Sequence, residues 1–344
     1  MMRVLVFNDT SITGHYGCMA VMSAIDSGLN KAGITPVGYW PTGVPWEPSR
    51  GFIESLEIDA IIVNGEGTIH SPHKYTRAAD LLKLARYAKE KLRVPIFLIN
   101  ASLFNVGKDN SMYLKDFRLV FTRETESLKF CRSLNLKSMC LPDLSLLEFV
   151  RLSNGINKTK NHRNIVFTDS VLSDRSRHMH DMAEKHAGKS VSFYQNKSAK
   201  TLFRNFYPKV KSRTRQLFGY DPLILRPNYA NKMRDRKLVT PVKGASFFIT
   251  GRFHGVVMAI ATKTPFIAIA SNTPKIEVTL RDVFDNTERS LSLKDISHRI
   301  ENLKMNEGSE TFSSLENDSI DRYVSAARLR TPRMFEIIAE EIAK

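Results

Sequence analysis

One pattern constrains this chain more than any other. Short, nearly continuous apolar runs alternate with stretches of helical periodicity. Residues 3–7, 60–63, 95–99 and 119–122 read as strands buried on both faces, and 164–168, 191–193, 247–250 and 265–270 continue the series. Between the first two runs, Val21, Ile25 and Leu29 recur every four residues up to Gly33, a helix with a glycine stop. Residues 77–91 place Leu81, Leu84, Ala85 and Ala88 on one helical face. Strands that lack polar alternation and are joined by helices predict a parallel sheet covered on both sides.

The pattern lapses in the polar stretch 152–164 and then restarts. With 344 residues, room exists for about two domains. The expected fold class is therefore α/β, with two Rossmann-like domains facing a cleft. An N-terminal domain spans 1–152. A C-terminal domain spans 164–321, and a helix over 322–344 returns to the first domain.

Charge narrows the range of partners. There are 51 Lys and Arg against 35 Asp and Glu, a formal net charge of +16. Nineteen of the basic residues, against six acidic ones, fall within 158–237. In the part at 197–215, aromatic and cationic residues interleave. Such an excess favours anionic partners. A solvated basic face and a surface docking on anionic lipid head groups both fit, whereas no helix-turn-helix, zinc or ribonucleoprotein signature points to nucleic acid. No apolar run reaches the ~18–20 residues that cross a bilayer, and the start of the chain turns polar at Asn8 and Asp9. Cys18, Cys131 and Cys140 form no metal spacing and cannot all pair. These features predict a cytoplasmic protein, peripheral at the inner membrane face through 197–215.

Ligands of open α/β sheets bind outside the carboxyl ends of the strands, so the strand–helix junctions hold the candidate site. At 247–255 a buried run ends in Thr250 and Gly251, and a helix begins around Arg252 and His254. Free N–H groups and the positive end of the helix dipole suit an anion there. Arg252 can fork onto a carboxylate or phosphate, and His254 can move a proton near neutral pH. At 63–70 Glu66 lies between two glycines, followed by His70. Glu66 orients a hydroxyl or acts as a base, or is a loop carboxylate paired with a cation. Asn8 and His15 flank the first turn, which lacks the glycines of a dinucleotide site and the lysine of a P-loop. Arg123 follows the run 119–122, and Asp143 and Asp169 occupy similar places, Asp143 also fitting a simple helix cap. The pairs His70/His73 and His178/His180 lack a third ligand, so no metal is expected. The motifs of metalloproteases and serine or cysteine hydrolases are missing. Metal-free group transfer fits this inventory.

At these junctions the sequence resembles the polysaccharide pyruvyl transferase family. The resemblance is carried by Val-Asn-Gly-Glu-Gly-Thr-Ile-His at 63–70, Phe-Thr-Arg-Glu-x-x-Ser at 121–127, Leu-Pro-Asp at 141–143 and Thr-Gly-Arg-Phe-His-Gly at 250–255. The stretch 265–275, ending in Ser-Asn-Thr-Pro-Lys, follows in the same order. It implies a two-domain GT-B-like transferase that moves a pyruvyl group from phosphoenolpyruvate onto a sugar of a cell-surface polysaccharide or its lipid-linked precursor. The product is a ketal, phosphate is released, and no cofactor is needed. It further implies donor contacts from Thr250, Gly251, Arg252, Arg123, Asn272 and Lys275. Acceptor contacts are expected from Asn8, His15, Asn64 and His70, with His254 as acid or base and Glu66 as a second candidate base. The alternatives are a nucleotide-sugar glycosyltransferase and a non-catalytic basic module that binds lipid or nucleic acid.

Overall fold

The computed structural model describes residues 1–67, 69–71, 76–157, 164–194, 229, 233, 235–305 and 311–344. The expected membrane-docking segment 197–215 lies outside the described residues, as does His73. The chain forms two α/β units, each on one wholly parallel sheet. The first comprises Met1–Leu141, Tyr194–Ala230 and Leu329–Lys344; the second comprises Pro142–Phe193 and Asn231–Arg328.

In the first unit the elements are β1 (Met2–Asp9), α1 (Tyr16–Lys31), β2 (Ile34–Pro41), α2 (Arg50–Ser55), β3 (Ala60–Asn64) and α3 (Thr76–Tyr87). They continue through β4 (Ile96–Ala101), α4 (Lys108–Leu114), β5 (Leu119–Thr122), α5 (Thr125–Ser133) and β6 (Ser138–Cys140). The sheet order is β2-β1-β3-β4-β5-β6. The second unit holds α6 (Ser145–Ser153), β7 (Ile165–Ser170), α7 (Ser173–Lys185), β8 (Lys189–Val191), α8 (Val239–Lys243), β9 (Phe247–Gly251) and α9 (Phe253–Thr262). It adds β10 (Phe266–Ile269), α10 (Lys275–Phe284), β11 (Ser290–Leu291) and α11 (Leu293–Met305), in sheet order β11-β10-β9-β7-β8. Both sheets share one winding: the order reverses beside the first strand, between β1 and β3 in one sheet and between β7 and β9 in the other. Such reversal points are where doubly wound sheets bind ligands.

The buried runs of the sequence are the central strands. Every residue of β3, β4 and β9 is buried. The edges differ. β2 carries Pro36 and Pro41, which an edge position tolerates because one side of the strand needs no ladder partner. The expected run 191–193 forms a strand two residues earlier, at β8. The second unit begins at Pro142, ahead of the expected joint at 152–164, because α6 packs on α9.

The last helix, α12 (Ser314–Ile342), starts eight residues before the expected 322, and its end belongs to the first unit. There Phe335, 2% exposed, lies directly on Gly28 of α1: a Cβ at 28 would stand 2.1 Å from the ring. Nε of Arg118 donates to Glu341 Oε2 at 2.6 Å and ties the same helix to the start of β5. Among the described residues no helix is long and apolar enough to cross a membrane.

In an open helix interior Gly→Ala adds about 1 kcal/mol of stability. At Gly28 the ring of Phe335 reverses the sign. Gly28→Ala is expected to lose about 1–3 kcal/mol by overpacking, read as a lowered urea midpoint, with partial recovery in Gly28→Ala/Phe335→Leu. A stabilised Gly28→Ala would show that Phe335 does not pack there.

Candidate active site

The reversal point of the second sheet lies between the ends of β7 and β9. Its geometry follows from two missing side chains. A Cβ on Gly251 would fall 2.6 Å from Ser170 Cβ, so a glycine is required where β9 passes the end of β7. The reason is the close approach of the two strands. A Cβ on Gly255 would fall 2.0 Å from Thr250 Oγ1. Thr250 is fully buried; its hydroxyl bonds that of Thr168 at 2.8 Å and accepts from the Arg252 backbone N–H at 3.1 Å. Thr250, Gly251 and Gly255 thus form a steric frame that presents the two residues between the glycines. Arg252 is the N-cap of α9 rather than part of its first turn, and His254 is the second helical residue.

Each presented side chain has a carboxylate near it. Arg252, 7% exposed at its side chain, meets Asp169 side by side: Nε to Oδ1 at 2.9 Å and Nη2 to Oδ2 at 2.5 Å. His254 Nε2 stands 4.0 Å from Asp143 Oδ1, and Asp143 is 2% exposed. The same Asp143 oxygen accepts from the backbone N–H and hydroxyl of Ser145, at 2.9 and 2.5 Å, at the start of α6. The cap expected from the Pro-Asp pair is present, and the carboxylate faces His254 as well. Nearby, Lys275 opens α10 with its Nζ 5.9 Å from the centre of the Phe253 ring. Asn272 is exposed and accepts from Ser271.

The reversal point of the first sheet gathers a second set. Asn8, next to last in β1, lies in the left-handed region, φ 66°, at a break in the register with β2, and Asn100, next to last in β4, does so at a break with β5. Asparagine tolerates that conformation and bulges re-aim strand ends. The Asn8 amide donates to Asn64 O at 2.5 Å, and Asn64 Nδ2 returns to Asn8 O at 3.3 Å. Glu66, 3% exposed, accepts from Thr10 Oγ1 at 2.6 Å and from Cys18 Sγ at 3.1 Å. Burial and this carboxylate push the Cys18 thiol well up, so it remains a donor. Asp9 accepts from the hydroxyl of Tyr229 at 2.9 Å, and burial together with Asp9 holds that phenol protonated far above its ordinary range.

Other expected residues of this unit lie around that set. His15 caps α1, pairs its backbone with Tyr194 and meets that ring edge-on. His70 pairs its backbone with Phe104. Arg123, 2% exposed at the end of β5, donates from Nε to Ser102 Oγ at 2.7 Å. In the motif around it, Glu124 caps α5 by accepting from the Ser127 N–H at 3.0 Å, so that glutamate and serine are structural. Asp169, Cys18 and Tyr229 were not assigned from sequence. Asp169 had a usable signal, a carboxylate directly after a strand, but only the sheet order places it beside Arg252. Among the described residues no group of three or more His, Cys, Asp or Glu could hold a metal ion.

The model of the polysaccharide pyruvyl transferase family matches residues 15–273. The chain belongs to that family. It is accordingly a transferase that modifies polysaccharide. No curated protein matches the sequence. Among solved structures, Staphylococcus aureus MnaA in complex with UDP has a TM-score of 0.52 at 12% identity, covering 94% of this chain and 95% of that one. The apo structure of OtsA gives 0.52 at 12%, covering 100% and 99%. UDP-N-acetylglucosamine 2-epimerase from Rickettsia bellii gives 0.50 at 12%, covering 94% and 96%. At such identities the likeness describes the fold alone, a GT-B-like α/β chain with two Rossmann-like sheets.

Two outcomes are expected from this geometry. Asp169→Ala strands the Arg252 charge and should lower unfolding free energy by about 3 kcal/mol, the low end for a broken buried pair because Asp169 keeps some solvent; Asp169→Asn should lose less, both read by denaturant titration. Cys18 should react slowly with a thiol reagent at pH 8, since its thiolate is disfavoured. Glu66→Gln removes the repelling charge and should speed that labelling, followed by mass spectrometry of the Cys18 peptide.

Proposed function

We propose that this polysaccharide pyruvyl transferase takes phosphoenolpyruvate as donor and closes a pyruvyl ketal on two hydroxyls of a sugar. The observation that carries the reading is the joint placement of Arg252 and His254 at the N-terminus of α9, beside the reversal point of the second sheet. A donor with about three negative charges is stabilised by a guanidinium, by free N–H groups and by the helix dipole. Asp169 takes the Nε and Nη2 edge of Arg252. An incoming carboxylate or phosphate takes the place of Asp169 on that edge. Lys275, on the next helix of the same unit, supplies further positive charge.

The chemistry balances as follows. A proton is added to the methylene carbon of phosphoenolpyruvate, and C2 becomes electrophilic. A sugar hydroxyl forms a C–O bond to C2 and gives up its proton. A second hydroxyl then displaces phosphate from C2, loses its proton and closes the ketal. His254 serves as the group that gives or takes one of these protons. Glu66 is assigned to the loop rather than to proton transfer, since each of its oxygens already accepts from a protein donor. Asn8 and Asn64 mark the acceptor side, at the reversal point of the first sheet.

Thermal unfolding with added ligand tests the reading. A ligand at a hundred times its Kd adds about 2.7 kcal/mol, so phosphoenolpyruvate should raise the melting temperature of the wild type and not that of Arg252→Ala. A rise with a nucleotide sugar alone would replace pyruvyl transfer by glycosyl transfer.

A further inference from the structure

We propose that Asp143 is the positioning residue for His254: its buried carboxylate holds the imidazole with the proton on Nε2, so that Nδ1 is the nitrogen that exchanges a proton with substrate. For its kinetic arm the proposal rests on the pyruvyl-transfer reading; its structural arm does not.

Three observations lead to it. First, Nε2 of His254 is buried and lies 4.0 Å from Asp143 Oδ1. That separation is an ion-pair distance, beyond a direct hydrogen bond, and catalytic hydrogen bonds are often this long before substrate binds. Second, Asp143 is itself immobile. Its Oδ1 accepts from Ser145 N and Oγ at 2.9 and 2.5 Å, and it is 2% exposed. A carboxylate fixed by the start of α6 fixes in turn whatever ring it faces on α9, and α6 packs against α9. Third, charged groups on the elements packed around α9 have partners of their own. Arg252 pairs with Asp169, Glu148 with Arg151 on α6, Lys243 on α8 reaches Thr262 O at the far end of the helix, and Lys275 on α10 lies over Phe253. The Phe253 ring meets the imidazole edge-on at 5.4 Å.

A carboxylate facing one ring nitrogen does two things. It selects the tautomer with the proton on that nitrogen, and it stabilises the imidazolium when the ring takes up a second proton. Both favour Nδ1 as the working atom. A helix cap alone would do neither.

Substitutions at 143 separate the two roles. Serine is a good N-cap but too short to reach the ring, whereas asparagine keeps the oxygen and loses the charge. Both variants should unfold near the wild-type midpoint. Asp143→Ser should lower kcat by about a hundredfold, within the range general acid–base groups contribute, with KM for phosphoenolpyruvate within about twofold. Asp143→Asn should recover part of that loss and shift the His254-dependent limb of the pH profile to lower pH. Equal kcat in wild type, Asp143→Ser and Asp143→Asn would overturn the proposal. The second arm needs no substrate. Two-bond ¹H–¹⁵N spectra of the wild-type histidine rings, with His254→Gln identifying the signals, should show neutral His254 protonated on Nε2. Protonation on Nδ1 would overturn the proposal even if the variants were slow. An Nε2–H ring in an enzyme that turns over no phosphoenolpyruvate would uphold the role of Asp143 and remove the pyruvyl-transfer reading instead.

Discussion

Everything in the second unit is arranged around a helix with no solvent face. All ten residues of α9 are buried, eight of them apolar or glycine and the others His254 and Thr262. A helix that is apolar all round has to be enclosed, and α6, α8, α10 and the strands β9 and β10 enclose it. The difficulty is its start, where an arginine stands at the N-cap and a histidine in the first turn. Charged or polar groups lose hydration there and need partners of their own. Asp169 and Asp143 provide them, one from the end of β7 and one from the entry to α6. Stability and chemistry therefore use the same atoms. The two carboxylates that let polar residues exist at a buried helix start also aim them.

The six-residue signature Thr-Gly-Arg-Phe-His-Gly divides along the same line. Thr250, Gly251 and Gly255 answer to van der Waals contact, because one atom more at either glycine would overlap Ser170 or Thr250. Phe253 is buried and touches His254. Arg252 and His254 are the two residues that this frame presents. Such a motif is specific because its two halves are interdependent: the frame is useless without the presented pair, and the pair cannot be presented without the frame.

The sequence disclosed the centre of each sheet better than its rim. Runs such as Val4, Leu5, Val6 and Phe7 are fully buried, and burial on both faces leaves a signal of unbroken apolarity. β2, with its two prolines, and the two-residue β11 sit at edges, where one side needs no partner and the residues are less constrained. The strand-end residues Arg252, His254, Asn8, Asn64 and Glu66 were legible because glycines and polar residues interrupt apolar runs there. Their partners were not. Asp169 meets Arg252 across 83 positions, and Cys18 meets Glu66 across 48. Pairings at that separation are set by strand order, which local pattern does not carry. Asp143 shows the limit well: its local sequence announced a helix cap, which it is, and gave no hint of the ring it faces.

The seat of Phe335 on Gly28 has a consequence for how the molecule is made. The two residues are about 300 positions apart, and contacts of such span are the slow ones to form. A ribosome delivers α1 long before it delivers the end of α12. During that interval the glycine face of α1 is an apolar notch without its lid, exposed to chaperones or to a neighbouring nascent chain. The six strands of the first sheet, all within residues 2–140, are thus delivered early, and the helix end that covers α1 arrives last.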